Sequence, residues 1–255
     1  MSSRSSSRPG SRLLVVLAQL AGGSHAALSA SPAPTTASIL QNCERALPTA
    51  LPEDAAARIL GYVEELLQYN ERTNVYSKSA YGFLPFHVAD SATLATHIGG
   101  IAQHGVLDLG SGSGLPSVII ACVNPSLPVF AVESKSRKTR FLRHAAKRLE
   151  LEQYTALTQD VRQLSRDWAF DVDVVTAKAF KPLPEVKPIG RRCVLSDARL
   201  LIPISEAQVR EFELGEDELQ RYEGGFLYYS EPITPSHGSA QRKVVTKEAA
   251  KTSKL

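Results

Sequence analysis

One stretch decides the fold of this chain: Val106-Leu107-Asp108-Leu109-Gly110-Ser111-Gly112-Ser113-Gly114, a short apolar run followed by three glycines at alternate positions. The next apolar run, 129–132, ends in the acidic residue Glu133. Glycines at this spacing let the backbone come close to a ligand where a Cβ atom would collide. A carboxylate at the end of the neighbouring strand can accept hydrogen bonds from ribose hydroxyls. The pattern therefore predicts a nucleotide-like ligand at the ends of two strands. The alternative is a plain glycine-rich turn between a strand and a helix.

The spacing of the glycines separates two kinds of loop. A dinucleotide-binding loop has the pattern G-x-G-x-x-G, whose last glycine would fall on Leu115. This chain has D-x-G-x-G-x-G instead, which resembles the S-adenosylmethionine loop of the class I methyltransferases. The resemblance implies that the cofactor is S-adenosyl-L-methionine. The residues expected to bind it here are Asp108, Gly110, Ser111, Gly112, Gly114 and Glu133.

The composition is typical of one domain with extensions. The chain has 255 residues, of which 43% are hydrophobic, enough for a sizeable core, and its formal net charge is +3. Its three cysteines lie far apart and form no CxxC or Cys/His cluster, so we expect reduced thiols and no metal site. No apolar run approaches the ~18–20 residues that a membrane-spanning helix needs. We therefore expect no association with membranes. We also expect a monomer.

The first 43 residues differ in composition from the rest. They contain no acidic residue, and Arg4, Arg8 and Arg12 stand among many serines and alanines. This composition is typical of a transit peptide, so we expect a mitochondrial or plastid protein, with the cytoplasm as the alternative. A competing signal is the apolar run 13–18 followed by Ser24-His25-Ala26, which would suit a secretory signal. The remaining interpretation is an unstructured tail.

Residues 44–246 are predicted to form the folded domain, and 247–255 a tail. Residues 53–70 have helical apolar spacing and are predicted to form an N-terminal helical extension. Strands then alternate with helices, which predicts a mainly parallel sheet covered on both faces. The predicted fold class is therefore α/β, with a Rossmann-like fold. The predicted strands are 105–110, 128–133, 154–158, 172–178 and 199–204, and the further predicted helices are 115–123 and 136–150. Residues 205–223 are expected to be helical, and 226–229 and 243–246 to pair as the final strands.

A second informative stretch is the predicted helix after Glu133. Seven Lys and Arg residues lie between Glu133 and Glu150, with no acidic residue among them. Positive charges without internal pairing attract phosphates, so this helix predicts an RNA-binding face. The alternative is an ordinary solvated face. The residues expected to meet RNA are Lys135, Arg137, Lys138, Arg140 and Arg143.

Several segments carry a resemblance to one family. Residues 67–75 are similar to its L-x-x-W-N-x-x-x-N-L, 87–91 match its H-x-x-D-S, 108–116 match its D-x-G-S-G-x-G-x-P, 133–142 are similar to its E-S-x-x-K-K-x-x-F-L, and 177–180 lie where it has S-R-A-F. Residues 55–183 thus resemble the ribosomal RNA small subunit methyltransferase G family, also called glucose-inhibited division protein B. The glycine loop alone would suit any class I methyltransferase, whereas the conjunction in this order is specific to the family.

The resemblance implies methyl transfer to N7 of a guanine in small-subunit ribosomal RNA, acting on the RNA or on the assembling subunit. Guanine N7 has a free lone pair and no proton, so the reaction needs no general base. His87 and Asp90 are then expected to shape the cofactor pocket, and Asp160 and Val161 to lie near the adenine. Lys178 is the candidate catalytic residue, meeting a phosphate or a base edge of the RNA; alternatively it is an exposed lysine at a strand end.

The chain also departs from the family pattern on the side that would face the substrate. Phe86 stands where the family has an arginine before H-x-x-D-S, and Lys178 replaces the arginine of S-R-A-F, which loses the planar fork that grips phosphates. Residues 160–162 read D-V-R where the family has R-x-E. Residues 200–205 contain no lysine, although the family has A-x-K-G at the end of this strand. These departures leave a second class open: an RNA-binding assembly factor with little or no turnover.

Overall fold

The structure is a computed structural model that describes residues 32–236 and 243–247. The predictions for a targeting sequence in residues 1–31 and for a tail in residues 248–255 lie outside the described residues. The described part has no helix with the length and apolar character needed to cross a bilayer. Cys43, Cys122 and Cys193 are buried free thiols.

The centre of the fold is a seven-stranded sheet with the order β3-β2-β1-β5-β6-β8-β7. Strand β8 is antiparallel to both of its neighbours, and the other pairings are parallel. A separate two-stranded sheet joins β4 to β9. The strands are β1 (Val106–Leu109), β2 (Val129–Glu133), β3 (Tyr154–Thr158), β4 (Trp168–Ala169), β5 (Val174–Thr176), β6 (Ala198–Pro203), β7 (Leu219–Arg221), β8 (Leu227–Ile233) and β9 (Lys243–Val244).

Helices cover both faces of the large sheet, which explains why β1 and β2 are buried at every position. Residues of the first five helices join the core on one face, and residues of the next two join the core on the other. The helices are α1 (Thr36–Ala46), α2 (Glu53–Arg72), α3 (Leu84–Gly99), α4 (Ser117–Val123), α5 (Ser136–Arg148), α6 (Val161–Asp167), α7 (Leu183–Cys193) and α8 (Glu206–Glu211).

The order of the strands places a ligand site. The chain runs from β1 outward to β3 on one side and then returns to β5 on the other side of β1. In open sheets of this kind the connections after the strands diverge at such a reversal and leave a crevice at the carboxyl ends. The glycine loop follows β1 directly, so the topology puts it at this crevice.

Three predictions about the ends of the domain need correction. The predicted helix over 205–223 is wrong, because only Glu206–Glu211 is α-helical, Glu216–Glu218 form one 3-10 turn, and 219–221 form β7, which pairs with β8. The predicted final strand pair is also wrong: β8 pairs with β6 and β7, whereas β9 pairs with β4. Helix α1 begins at Thr36, before the expected domain start at 44, and buries Ile39 and Cys43 in the core.

Candidate cofactor site and active site

A cavity of about 320 Å³ opens at the carboxyl ends of β1, β2, β3 and β5. Its volume is in the range of small-molecule sites in proteins. Six of the predicted site residues line it: Gly110, Glu133, Lys135, Lys138, Asp160 and Val161. The other lining residues are not among the predicted site residues: Val132, Ser134, Gln159, Arg162, Ala179, Phe180 and Lys181.

The glycine loop is held by backbone hydrogen bonds to the neighbouring strand. The N–H groups of Gly110 and Ser111 donate to the carbonyl of Val132 at 2.8 and 3.2 Å. Tyr62 on α2 donates its hydroxyl to the carbonyl of Ser113 at 2.8 Å and so fixes the far end of the loop. The role of Tyr62 was not predicted, because its apolar neighbours on α2 indicate only a core position.

Gly110 and Gly112 both have a positive φ, but a Cβ atom would meet different surroundings at the two positions. Gly110 has φ +72°, and a Cβ atom there would collide with the ring of Phe180, which packs against the loop. Gly112 has φ +59°, and a Cβ atom there would meet only Lys138 Nζ at 3.7 Å and the Gly110 carbonyl at 3.8 Å. The loop is therefore close-packed at its start and open at Gly112, which leaves its backbone accessible to a ligand.

Glu133 joins the loop to the start of α5. Its Oε2 accepts a hydrogen bond from the N–H of Gly112 at 3.0 Å, and its Oε1 accepts one from the N–H of Lys135 at 2.7 Å. The residue is 7% exposed and lines the cavity. A carboxylate has about four acceptor sites. Glu133 can thus keep these contacts and still accept hydrogen bonds from ribose hydroxyls.

Asp108 lies on β1, in the core behind the glycine loop. It is completely buried, and neither carboxylate oxygen has a hydrogen-bond partner among the described residues. Burial raises the pKa of Asp108 to about 6, while the neighbouring hydroxyls of Ser111 and Ser117 act in the opposite direction. A buried carboxyl group without a partner costs free energy unless a ligand satisfies it. Together with the open backbone at Gly112 and the carboxylate of Glu133, this group fits a cationic, ribose-bearing cofactor.

Asp160 and Val161 form the opposite wall of the cavity, at the start of α6. Asp160 caps this helix by accepting the N–H of Arg162 at 2.9 Å, and its other oxygen pairs with the Arg162 guanidinium at 2.6 Å. The hydrogen bonds from Arg162 hold the pKa of Asp160 below its usual value. The exchanged charges in this segment thus form a local ion pair beside the expected adenine site.

His87, Asp90 and Lys178 lie outside the lining of the cavity, but two of them are joined. Lys178 Nζ donates to Asp90 Oδ2 at 2.6 Å, and both side chains are largely buried. His87 Nδ1 lies 2.9 Å from the hydroxyl of Tyr76. Burial, with a smaller contribution from the Lys178 charge, lowers the pKa of His87 to about 4, so its imidazole is neutral at physiological pH. The structure thus places Lys178 in an ion pair rather than as an exposed lysine at a strand end.

The basic residues of α5 divide into two groups. Arg143 donates two hydrogen bonds to the carbonyl of Ala156, at 3.1 and 3.0 Å, and Arg148 pairs with Glu65 at 2.8 Å. These two arginines therefore attach α5 to the fold. The side chains of the other predicted RNA contacts have no hydrogen bond or ion pair with any described residue: Lys135, Arg137, Lys138 and Arg140.

The substitution before H-x-x-D-S has a structural explanation. Phe86 packs against Phe226 with ring centroids 5.3 Å apart and also contacts the ring of His87. An aromatic cluster therefore occupies the place where the family pattern has a positive charge. The surroundings of Phe86 are therefore aromatic, and the positive charges near the site come instead from the basic residues of α5 and from Lys178 after β5.

The fold and the site together define a class of protein. A mainly parallel sheet of this strand order, with a glycine loop after β1 and a carboxylate at the end of β2, is that of a class I S-adenosylmethionine-dependent methyltransferase. More particularly, the chain belongs to the rRNA small subunit methyltransferase G family, whose family model matches residues 55–224.

Relatives found by sequence carry the name of the same family. The ribosomal RNA small subunit methyltransferase G of Syntrophotalea carbinolica is 30% identical over 203 residues, which cover 77% of this chain and 91% of that protein. The protein of the same name from Erythrobacter litoralis is 32% identical over 164 residues, 63% of this chain and 77% of that protein.

Among solved structures, a cofactor-bound protein from MTB, Rv0187, has a TM-score of 0.48 at 12% identity, covering 71% of this chain and 91% of that one. A SAM-dependent O-methyltransferase from Thermotoga maritima has a TM-score of 0.46 at 17% identity, covering 69% and 72%.

Proposed function

We propose that this protein transfers a methyl group from S-adenosylmethionine to N7 of a guanine in small-subunit ribosomal RNA. The observation that carries the proposal is the cavity at the carboxyl ends of the strands, which combines a cofactor-binding loop with adjacent unpaired cations. The membership of the chain in a family of small-subunit rRNA methyltransferases supports RNA as the substrate.

The chemistry requires little acid–base help from the protein. When bound, S-adenosylmethionine supplies an electrophilic methyl group on a sulfonium centre. Guanine N7 attacks through its own lone pair, so no proton has to be removed from the nucleophile. His87 is hydrogen-bonded to Tyr76 and Asp108 is completely buried, so neither is placed to act as a general base, and the reaction does not need one. Catalysis then rests on alignment of the two reactants and exclusion of water.

The residues of the chain have separate roles in this proposal. Glu133 holds the ribose hydroxyls, and the backbone at Gly112 lies against the methionine part. The buried carboxyl group of Asp108 contributes negative potential behind the positively charged end of the cofactor. Lys178, next to the cavity-lining residue Ala179, meets the RNA at a phosphate or a base edge.

The RNA would approach over α5. Lys138 lies on both the cavity and this helix, Lys135 lines the cavity just before the helix begins, and Arg137 and Arg140 extend the same charged surface. Phosphates at this surface would be held by charge, and such binding weakens as salt rises. The surface thus orients the RNA while the cavity selects the cofactor.

The test is to map 7-methylguanosine in small-subunit rRNA from cells with and without the protein, in organelle and cytosolic ribosomes separately. We expect one guanine to lose its methyl group in the absence of the protein and to regain it with the wild-type gene but not with a Gly112→Arg variant. Methylation that is unchanged at every guanine, together with defective subunit assembly, would instead identify an assembly factor.

We also propose that the N-terminal segment directs the protein to a mitochondrion or plastid. The support is its composition, which is basic, rich in serine and without acidic residues up to Glu44. Because α1 begins at Thr36 and packs into the core, the segment to test is 1–35 rather than 1–43. A fluorescent protein fused after residue 35 should enter an organelle, and diffuse cytosolic fluorescence would contradict the proposal.

A further inference from the structure

Three polar side chains from distant parts of the chain form one hydrogen-bonded series next to the cofactor loop. Tyr228 on β8 donates its hydroxyl to the Asp90 carbonyl at 2.8 Å and lies 3.0 Å from Asp90 Oδ1. The other carboxylate oxygen, Oδ2, accepts from Lys178 Nζ at 2.6 Å. Asp90 thus stands between a buried tyrosine and a lysine, with a separate oxygen for each.

The lysine of this series lies outside the lining of the cofactor cavity but directly precedes residues that form it. The two residues that follow it, Ala179 and Phe180, line the cavity, and the ring of Phe180 packs against Gly110. Ala179 has φ +50°, a left-handed conformation that costs free energy in a residue other than glycine. The backbone after β5 is therefore held in one unusual arrangement that directs Phe180 onto the loop while Lys178 pairs with Asp90.

Tyr228 does more than fill the core. It is fully buried, so its hydroxyl must find a partner inside the protein, and both oxygens within reach belong to Asp90. Burial raises the pKa of Tyr228 far above its usual value, which keeps the hydroxyl protonated and able to donate. The single proton of this hydroxyl is shared between the Asp90 carbonyl and Oδ1, so Tyr228 restrains both the backbone and the carboxylate of Asp90, whereas a carboxylate paired only with a lysine could rotate.

A lysine has a long flexible stem, and holding it in one place opposes its conformational entropy. A pair of largely buried charges is favourable only where the remaining hydrogen-bonding capacity is also satisfied. Tyr228 meets this requirement for Asp90, and Asp90 in turn fixes the ammonium group. The arrangement therefore gives Lys178 a defined position before any RNA arrives.

We propose that Tyr228 is a positioning residue: through Asp90 it fixes the ammonium group of Lys178, which directly precedes the cavity-lining residues and contacts the RNA. The position of Lys178 is independent of the activity, whereas its contact with RNA rests on the proposed function. Tyr228 itself touches neither the cavity nor the expected substrate.

The first experiment measures the position of Lys178 without any reaction. The purified protein is treated with an acetylating reagent, and the rate of acetylation at Lys178 is followed by mass spectrometry. Tyr228→Phe removes one hydroxyl oxygen and should raise this rate by about fivefold, the effect of losing one hydrogen bond of ordinary strength. Tyr229→Phe is the matched control, because Tyr229 is also buried on β8 but belongs to the opposite core and bonds Glu231.

An unchanged rate in Tyr228→Phe, or an equal rise in Tyr229→Phe, would overturn the proposal. The second result would mean that loss of any tyrosine hydroxyl loosens β8. Melting temperatures of both variants are measured alongside, so that a global loss of structure is recognised. If Tyr228→Phe melts too low for the measurement, wild type and both variants are compared at a lower temperature at which all three are folded, so that the role of Tyr228 is still tested.

The second experiment is a double-mutant cycle on methyl transfer to in vitro transcribed small-subunit rRNA. Tyr228→Phe should lower kcat/KM by about fivefold without changing the Kd for S-adenosylmethionine, and it should have no further effect in a Lys178→Met background, because Tyr228 acts through Lys178. Equal effects in both backgrounds would overturn the positioning role. If the wild-type protein methylates no RNA, the proposed function fails, while the acetylation rates still decide whether Tyr228 positions Lys178.

Discussion

At the scale of single residues, Asp108 links the cofactor site to the stability of the fold. Its pKa is about 6 in the folded protein against an ordinary value of 3.8, so the folded state binds the proton more tightly than the unfolded state. The contribution of this residue to stability is therefore complete below about pH 4 and is lost as pH rises through about 6. One unit of pKa corresponds to about 1.4 kcal/mol, so the loss is about 3 kcal/mol.

The Asp108→Asn variant tests this linkage. The amide cannot ionise, so the variant should lack the decrease in the free energy of unfolding that wild type shows between about pH 4 and 6. Urea denaturation of the cofactor-free proteins at a series of pH values measures the difference. A difference between the two proteins that does not vary with pH would mean that Asp108 has an ordinary pKa.

Gly112 gives a second prediction at this scale. The Gly112→Arg side chain would start from the open side of the loop and fill the approach of the cofactor. We expect calorimetry to show no detectable S-adenosylmethionine binding and circular dichroism to show an intact fold, with a stability cost of about 1–2 kcal/mol for an arginine at positive φ. Unchanged affinity would contradict the assignment of the loop.

At the scale of elements, α5 is the part of the surface expected to bind RNA. Reversing Arg137 and Arg140 to Glu should weaken binding to small-subunit rRNA and reduce the slope of log K against log salt by about 1 to 2, since each lost phosphate contact removes about 0.7 to 0.9. Arg192 and Arg210 are exposed on α7 and α8, and reversing both gives a control with the same change in net charge.

Filter binding over a range of salt concentrations measures both slopes. An unchanged slope in the α5 variant would mean that the basic face of this helix is an ordinary solvated face that does not bind RNA. An equal change in the control would show that net charge alone attracts the RNA. Arg143 is left intact in both proteins, because its hydrogen bonds to Ala156 hold α5 against β3.

Helix α1 carries a prediction about the extent of the fold. Ile39 is completely buried in the core that α1 shares with α3, although the sequence placed it before the domain. Ile39→Ala should lower the free energy of unfolding by about 2–5 kcal/mol, as deletions of buried aliphatic side chains do. Gln41→Ala, at an exposed position of the same helix, should change it by less than about 0.5 kcal/mol. Equal effects in denaturation experiments would contradict the packing of α1.

At the scale of the whole molecule, the cofactor is expected to stabilise the fold, because the cavity is made from the ends of four strands that exist together only in the folded chain. At a concentration 100 times its Kd, a ligand adds about 2.7 kcal/mol to the free energy of unfolding. For a domain of this size, that corresponds to a rise in melting temperature of roughly 5–10 °C. NAD at the same concentration should give no comparable rise, and an equal rise would contradict the specificity inferred from the glycine spacing.

The sequence predicted the elements whose periodicity is local. Helix α2 and strands β1 to β3 have the expected residues, since amphipathic spacing and short apolar runs between turns identify them. Helix α3 was not predicted because it is buried on nearly all sides and mixes polar with apolar residues, which leaves no periodic pattern. Helix α7 was not predicted because it contains Pro184, Pro188 and Gly190, which normally argue against a helix.

The site residues also divide into those that a local sequence pattern identifies and those that depend on contacts between distant segments. Of the predicted cofactor residues, Gly110, Glu133, Asp160 and Val161 line the cavity. The others lie outside its lining: His87, Asp90, Asp108, Ser111, Gly112 and Gly114. Phe180 belongs to a recognised segment, but its contact with Gly110 depends on how β5 lies beside β1, which no local pattern contains. The strand pairs at the end of the chain were predicted wrongly for the same reason, since pairing is a choice among distant partners.

By itself, the sequence determined the cofactor, because a glycine loop and an acidic residue at the end of the next strand are local patterns with a fixed chemical purpose. It determined the family as well, because the other recognised motifs, such as H-x-x-D-S, are also local and stand in the family's order. Only the tertiary structure decided how Lys178 is held. Its partner Asp90 is 88 residues away along the chain, and Tyr228 is 138 residues from Asp90. The physical reason is that hydrogen bonds between such distant residues form only after the sheet and α3 have packed together.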